Sequence, residues 1–165
     1  MIADQPTRQQ VCDLLKVTPY EKILALDCAT KTGYYCKADG GGTWYLNREN
    51  IYREFRDKIT EYIKEHDIKI IVAEDVFLQI KTKDAGSMLL NIQGILRLIC
   101  ADLKLPQPIL VQPQDVKYYA TRNKIATKDE MVKAAIKLGL KNPVTDDHAD
   151  AFLIWKYFLK HYPIR

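Results

Sequence analysis

Acidic residues that could bind metal ions occur at three points of the sequence. Asp27 and Glu74 each follow a short apolar run of the kind that forms a strand covered on both faces. Asp147 and Asp150 lie three positions apart near the start of the last predicted helix, so their side chains share one helical face. If the two strands are neighbours and the helix packs across their ends, these four carboxylates converge.

Four carboxylates in a partly buried pocket would repel one another strongly unless cations are present. Ligand sets made only of oxygen suit Mg²⁺ or Mn²⁺. Two such ions, held about 3.5–4 Å apart, stabilise the attacking and leaving oxygens of a phosphoryl displacement. The pattern therefore predicts hydrolysis of a phosphodiester by metal-activated water, without a protein nucleophile.

Each acidic residue also has a simpler interpretation. Asp27 could only begin a turn, and Glu74 could be a solvated strand end. Asp146 and Asp147 could do no more than favour the helix N-terminus electrostatically. Whether Asp146 or His148 joins the metal site stays open, although a single histidine in a first turn is more often exposed.

Basic side chains fall in the links expected near the acidic pocket. They could be ordinary solvated charges, or they could contact phosphate groups. These candidates are Lys81, Lys83, Arg122, Lys124 and Lys128.

Hydrophobic periodicity and capping signals predict the elements that would position these residues. Strand hairpins come first and are followed by alternating helices and strands, which favours an α/β fold with a mixed sheet flanked by helices. We predict helices at 7–16, 48–65, 85–104, 114–120, 127–138 and 146–161, and strands at 23–27, 33–38, 43–46, 68–73 and 108–111.

Composition sets the class of protein. The chain has 165 residues, enough for one domain with a real core, and its 47% hydrophobic and 28% charged content is ordinary for a soluble protein. No apolar run is long enough to span a membrane, and the first residues do not resemble a secretory signal. The four cysteines form no Cys-x-x-Cys motif, so we expect reduced thiols and a cytoplasmic location. A net charge of +4 allows a polyanionic partner.

Three ordered motifs resemble those of a known family. Leu26-Asp-Cys-Ala-Thr-Lys-Thr-Gly-Tyr34, Ala73-Glu-Asp-Val-Phe77 and Asp147-His-Ala-Asp-Ala151 are similar to segments of RuvC-like Holliday junction resolvases, within the ribonuclease H-like superfamily. Thr127-Lys128 before a helix resembles a basic site of the same family. The resemblance covers residues 22 to 158.

This resemblance implies an endonuclease that cuts four-way or other branched DNA. It implies Asp27, Glu74, Asp147 and Asp150 as ligands of two Mg²⁺ or Mn²⁺ ions, and Lys128 as a phosphate or catalytic contact. It also implies that Phe77 stacks on or wedges between bases. On this basis residues 1–20 form an N-terminal helical extension and 21–165 the nuclease domain.

The sequence departs from the family pattern at two places that affect substrate preference and dimer geometry. Cys28-Ala29 stands where the family commonly has Pro-Gly, and Gln93 stands where a basic residue often precedes the helix glycine.

The predicted helix at 85–104 is apolar on more than one face, because Leu90, Ile95 and Leu98 lie away from its main stripe. A helix of this kind is buried on more than one side. The resemblance implies a homodimer built partly on this helix, which carries Gly94. The alternative is that the helix at 7–16 or the last helix covers it within one chain.

Two other functions fit parts of the pattern. The strand, acid and Thr-rich turn around Asp27 also resemble the phosphate loop of actin-like kinases and ATPases, although we see no second phosphate hairpin. A nuclease-like fold could also serve only as a DNA-binding module. Loss of one acid would favour that role, but all four acids are present.

Overall fold

A single five-stranded mixed sheet lies at the centre of the computed structural model, which describes residues 5–76, 83–143 and 145–162. Its strands are β1 (Ile23–Asp27), β2 (Lys31–Tyr35), β3 (Gly42–Tyr45), β4 (Ile70–Glu74) and β5 (Ile109–Val111). Their order across the sheet is β3-β2-β1-β4-β5. The first three strands are antiparallel neighbours, and β4 and β5 are parallel to β1. This arrangement confirms the predicted α/β class with a mixed sheet.

Six α-helices cover the sheet. They are α1 (Arg8–Val17), α2 (Ile51–His66), α3 (Lys83–Asp102), α4 (Pro113–Thr121), α5 (Lys128–Lys137) and α6 (Asp146–His161). Capping boxes begin α1 at Thr7 and α5 at Thr127, as the Thr-x-x-Gln and Thr-x-x-Glu patterns predict. Within the described part of the chain, no helix is long and apolar enough to cross a membrane.

Alternating side chains of the central strands divide the core into two layers. Ile23 and Ala25 of β1 face a layer that includes residues of α1, α4, α5 and α6. Leu24 and Leu26 face the other layer, which is built with α2 and α3. Because successive side chains of a strand point to opposite faces, β1 is buried on both sides. It is the covered central strand that its apolar sequence predicts.

The strands after β1 differ from the predicted bounds by one to three residues, and two of these differences have local reasons. The second strand, predicted at 33–38, is β2, which begins earlier at Lys31 because Lys31 pairs with Tyr45 of β3. The strand predicted at 68–73 is β4, which extends to Glu74 because Glu74 pairs with Val111 of β5. Glu74 is therefore the last residue of β4 and is still paired with β5, at the carboxyl end of both strands.

The first helix is part of the core. Val11 and Leu15 of α1 are each only 1% exposed and pack in the layer that contains α6. The division of the chain at residue 20 stays a prediction, but α1 covers the same face of the sheet as the last helix.

Neither α1 nor α6 covers the outer face of α3, so the single-chain alternative is wrong. Both helices lie across the sheet from α3, which packs beside α2. Leu90 and Leu98 stay 43% and 59% exposed. A Cβ atom on Gly94 would meet nothing within 4 Å, so no close packing within the described chain explains this glycine.

Candidate active site

Two of the predicted carboxylates come together through strand pairing. Leu26 of β1 pairs with Ala73 of β4 in parallel register, so Asp27 and Glu74 occupy the next position of each strand. Parallel neighbours end at the same edge of a sheet. The two carboxylates are therefore adjacent at that edge, because each follows directly after the last apolar residue of its strand and these two residues are paired.

The other two carboxylates come from the start of α6, which is capped by Thr145. The Thr145 hydroxyl accepts a hydrogen bond from the backbone N–H of His148 at 3.1 Å, and it is 2.6 Å from the Thr43 hydroxyl of β3. Asp147 lies in the first turn and Asp150 follows it three positions later. The cap and the β3 contact fix where the helix begins, and hence where both acids lie.

One cavity of about 210 Å³ brings the four predicted acids together. Two lysines and several apolar side chains complete its wall. The lining residues are Asp27, Glu74, Pro113, Val116, Lys117, Ala126, Lys128, Met131, Asp147 and Asp150.

Burial and mutual repulsion disfavour ionisation in this cavity. Burial first, and then the charges of Glu74, Asp150 and Asp147, raise the pKa of Asp27 well above its usual value. Burial and the Asp150 charge raise the pKa of Glu74 to about 7. Burial and the charges of Asp146 and Asp147 raise the pKa of Asp150 to about 6, and burial also raises the pKa of Asp147. A cation in the cavity would relieve this cost.

The donor set fits a hard divalent cation. All four acids supply carboxylate oxygens, and Asp150 Oδ1 is buried with no hydrogen-bond partner among the described residues. Within residues 5–76, 83–143 and 145–162, however, no three His, Cys, Asp or Glu side chains are arranged to hold one ion as they stand. Ion binding would therefore require these carboxylates to turn toward a common point.

The structure separates Asp146 and His148 from the cavity wall. Asp146 Oδ2 accepts a hydrogen bond from Lys128 Nζ, which lowers the pKa of Asp146 and raises the pKa of Lys128. His148 is only 3% exposed, and its Nε2 is 2.8 Å from the Gly40 carbonyl oxygen. The expectation that His148 is exposed is wrong, because its ring reaches back to the turn between β2 and β3.

Asp75 accepts hydrogen bonds from two side-chain amides and does not line the cavity. Its Oδ1 accepts a hydrogen bond from Gln93 Nε2 at 3.1 Å, and its Oδ2 accepts one from Gln112 Nε2 at 2.9 Å. Gln93, the departure from the family pattern, thus ties α3 to the end of β4.

The sequence analysis missed Lys117. It lies on α4, lines the cavity, and its charge lowers the pKa values of both Glu74 and Asp150. The available signal was its place one helical turn after Pro113, in the helix that follows β5. Because Glu74 pairs with Val111, that helix begins beside the acidic edge.

The remaining residues predicted to contact DNA either lie outside the described part of the chain, lack a described side chain, or do not line the cavity. Phe77 and Lys81 lie outside the described residues, and Lys83 begins α3 without a described side chain. Arg122 and Lys124 are exposed in the link between α4 and α5, and neither lines the cavity.

Solved structures with the same architecture include two structures of RuvC and one of a Holliday junction resolvase. RuvC of Thermus thermophilus, in complex with a Holliday junction substrate, superposes with a TM-score of 0.68 at 15% identity, covering 82% of this chain and 90% of that one. A second structure of Thermus thermophilus RuvC gives 0.65 at 14% identity, with coverages of 84% and 95%. The chain has a RuvC-like fold.

A yeast mitochondrial Holliday junction resolvase is a more distant RuvC-like neighbour. It gives a TM-score of 0.54 at 14% identity and covers 96% of this chain and 89% of that one. No protein-family model and no curated protein matches the sequence. The neighbours confirm the predicted ribonuclease H-like fold.

Proposed function

We propose that the protein is a metal-dependent endonuclease that cleaves four-way (Holliday) or other branched DNA by hydrolysing a phosphodiester bond. The observation that carries this proposal is the cavity at the sheet edge, where four carboxylates and two lysines meet. The RuvC-like fold supports it, since the structures with this fold described above are resolvases.

Asp27, Glu74, Asp147 and Asp150 would hold Mg²⁺ or Mn²⁺, two ions per site. When bound, such ions activate water at neutral pH and stabilise the oxygens of an in-line displacement. Because the pKa values of Asp27, Glu74 and Asp150 are raised, the cation-free site binds protons up to a higher pH than ordinary carboxylates do. Loading the site therefore releases protons.

The two lysines of the cavity have different tasks. Lys117 is on the wall beside Glu74 and Asp150, where its ammonium group offsets part of their repulsion. Lys128 has a side chain that is 78% exposed, and it is oriented by its ion pair with Asp146. We therefore assign Lys128 a contact with a phosphate group that enters the cavity, and Lys117 the partial neutralisation of Glu74 and Asp150.

DNA would reach the cavity along basic and aromatic residues around it. Arg122 and Lys124 are exposed beside α5 and can contact phosphates. We assign the same role to Lys81 and Lys83 because the sequence places them in a link expected near the acidic pocket, and a base-stacking role to Phe77 on the sequence resemblance alone.

A homodimer would place two identical sites on the two strands to be cut. The exposed side chains Leu90 and Leu98 of α3 support this assembly. A groove of about 880 Å³ between α2 and α3 adjoins this surface, and both apolar side chains such as Ile95 and Leu98 and charged ones such as Arg56 and Glu61 line it. Burial of this surface against a second copy would cover the face of α3 that the described residues leave open.

The decisive experiment uses end-labelled four-way junction and linear duplex, each incubated with the protein in Mg²⁺ or in EDTA. We expect symmetric cuts in the junction with Mg²⁺, no cuts in EDTA, and far slower cutting of the duplex. Junction binding without cleavage in Mg²⁺ or Mn²⁺ would instead indicate a DNA-binding module. Absence of both binding and cleavage would contradict the proposal.

A further inference from the structure

The link between α4 and α5 presents an apolar side chain to solvent beside the active-site cavity. Ile125 is 83% exposed, the highest value of any large hydrophobic residue in the described ranges. Its neighbour Ala126 is only 6% exposed and lines the cavity. The link thus lies at the rim of the site, with one residue facing inward and the next facing outward.

Hydrogen bonds hold this link in one conformation. Arg122 ends α4 in the left-handed region, with φ 62°, and its N–H donates to the Tyr118 carbonyl at 2.9 Å. The Asn123 N–H donates to the Thr121 hydroxyl at 3.1 Å. The Asn123 side-chain oxygen in turn accepts from the Ile125 N–H at 3.1 Å. A preorganised link loses little conformational freedom when a ligand contacts it.

The charged side chains of residues 122–128 are all basic. Residues 122–128 include Arg122, Lys124 and Lys128 and contain no acidic residue. The Arg122 guanidinium lies 5.7 Å from the ring centroid of Tyr118, which is itself 47% exposed. An exposed apolar side chain between cations matches a nucleic acid, which presents phosphates on either side of apolar base faces.

We propose that Ile125 is a branched-DNA contact that packs against an unstacked base next to the phosphate in the active site, with Arg122 and Lys124 on the flanking phosphates. This assignment rests on the proposed nuclease function. A single exposed apolar residue is ordinary on a protein surface. Ile125 differs because it is presented by a hydrogen-bonded link, between cations and at the rim of the cavity.

The test compares Ile125→Ser with Val17→Ser. Val17 is 79% exposed at the end of α1 and does not line the cavity, so it is a matched control for loss of an exposed apolar side chain. Junction affinity is measured in EDTA by fluorescence anisotropy over a range of salt concentrations. Thermal melts check that both variants fold like the wild type.

We expect Ile125→Ser to weaken junction binding about tenfold, as loss of one buried aliphatic contact would. Binding to linear duplex should change less than about twofold, because intact duplex offers no unstacked base. The slope of log affinity against log salt should stay unchanged for Ile125→Ser, whereas Lys124→Ala should reduce it by about 1. Ile125→Leu should keep most of the affinity, and Val17→Ser should bind like the wild type.

Three results would overturn the assignment of Ile125. These are unchanged junction affinity in Ile125→Ser, an equal loss with Val17→Ser, and an equal loss on linear duplex. If the wild type cleaves junctions and Ile125→Ser binds them normally, only this inference fails. If the wild type binds no DNA at all, the proposed function fails with it.

Discussion

Gly33 of β2 lies directly against the backbone carbonyl of Asp147. A Cβ atom on Gly33 would be 1.9 Å from that oxygen and 2.3 Å from its carbon, distances that no side chain can occupy. Gly33 also pairs with Asp27 in the adjacent strand. One glycine therefore sets the separation between the two backbone segments that carry opposite sides of the candidate site.

We predict that Gly33→Ala displaces the start of α6 and abolishes junction cleavage. The added methyl group meets backbone atoms, which cannot turn aside, so we expect a loss of about 1–3 kcal/mol in the free energy of unfolding. Urea denaturation and the cleavage assay measure the two effects. Gly94→Ala is the control for the unfolding measurement, because that position has open space within the described chain, and it should stabilise the chain by about 0.5–1 kcal/mol. Normal cleavage by Gly33→Ala would contradict the role of this contact.

We predict that Asp27→Asn abolishes cleavage while junction binding survives. The change removes one metal-binding oxygen at the sheet edge but keeps the size and most of the contacts of the side chain. Since the pKa of Asp27 is raised mainly by burial, the neutral amide should also make the metal-free protein more stable at neutral pH. Gel shifts measure junction binding, cleavage assays measure activity, and thermal melts in EDTA measure the stability of the metal-free protein. Near-normal cleavage would eliminate the four-carboxylate site.

In EDTA, we predict that the protein loses stability as the pH rises from about 4 to about 7. Burial and the Asp150 charge raise the pKa of Glu74 to about 7, and burial and neighbouring acids raise the pKa of Asp150 to about 6. Between the unfolded and folded pKa values the folded state binds more protons, so its stability falls with rising pH. Below about pH 4 both states are protonated and this effect disappears.

Mg²⁺ should reverse that loss, raising the melting temperature more at about pH 8 than at about pH 5. Glu74→Gln is the matched variant, because it should flatten the pH dependence in EDTA and reduce the response to Mg²⁺. A response to Mg²⁺ that is equal at both pH values in the wild type would argue against binding at these acids.

Lys128→Ala should lower the single-turnover cleavage rate more than it lowers junction affinity, because one phosphate contact among several contributes little to total binding. Lys133→Ala is the control. Lys133 is on the same helix, is similarly exposed and is ion-paired with Asp129, but it does not line the cavity. An unchanged single-turnover rate in Lys128→Ala would remove Lys128 from the site.

Leu98→Ser should convert the proposed homodimer into a monomer without unfolding it, since Leu98 is 59% exposed on α3. Sedimentation velocity at micromolar concentration gives the assembly state. The control Ile136→Ser changes a residue on α5 that is 52% exposed and should leave the dimer intact. A wild type that sediments as a monomer and still cuts both junction strands would refute the dimer.

Local patterns were sufficient to predict the elements that carry the acids. Asp27 and Glu74 could be placed at one sheet edge, on the condition that their strands are neighbours, because each ends an apolar run typical of a covered strand. Asp147 and Asp150 could be placed on one face because helical spacing is local. These predictions needed only the parallel pairing of β1 and β4, which the alternation of strands and helices already favoured.

Features that depend on contacts distant in sequence could not be predicted in this way. Lys117 belongs to the site only because β5 lies beside β4, which no local pattern reveals. The burial of His148 depends on the Gly40 carbonyl, more than a hundred positions away. The place of α1 in the core depends on which face of the sheet its apolar stripe contacts.

The position of α6 has a consequence for how the protein is made. Helix α6 packs on β1 and β2 and supplies Asp147 and Asp150, although it is the last helix of the described chain. A polypeptide that ends before α6 would have Asp27 and Glu74 but neither acid of this helix. Under the proposed function, nuclease activity would thus arise only after α6 has been synthesised and has packed on the sheet, and chains that end before α6 could not cleave DNA.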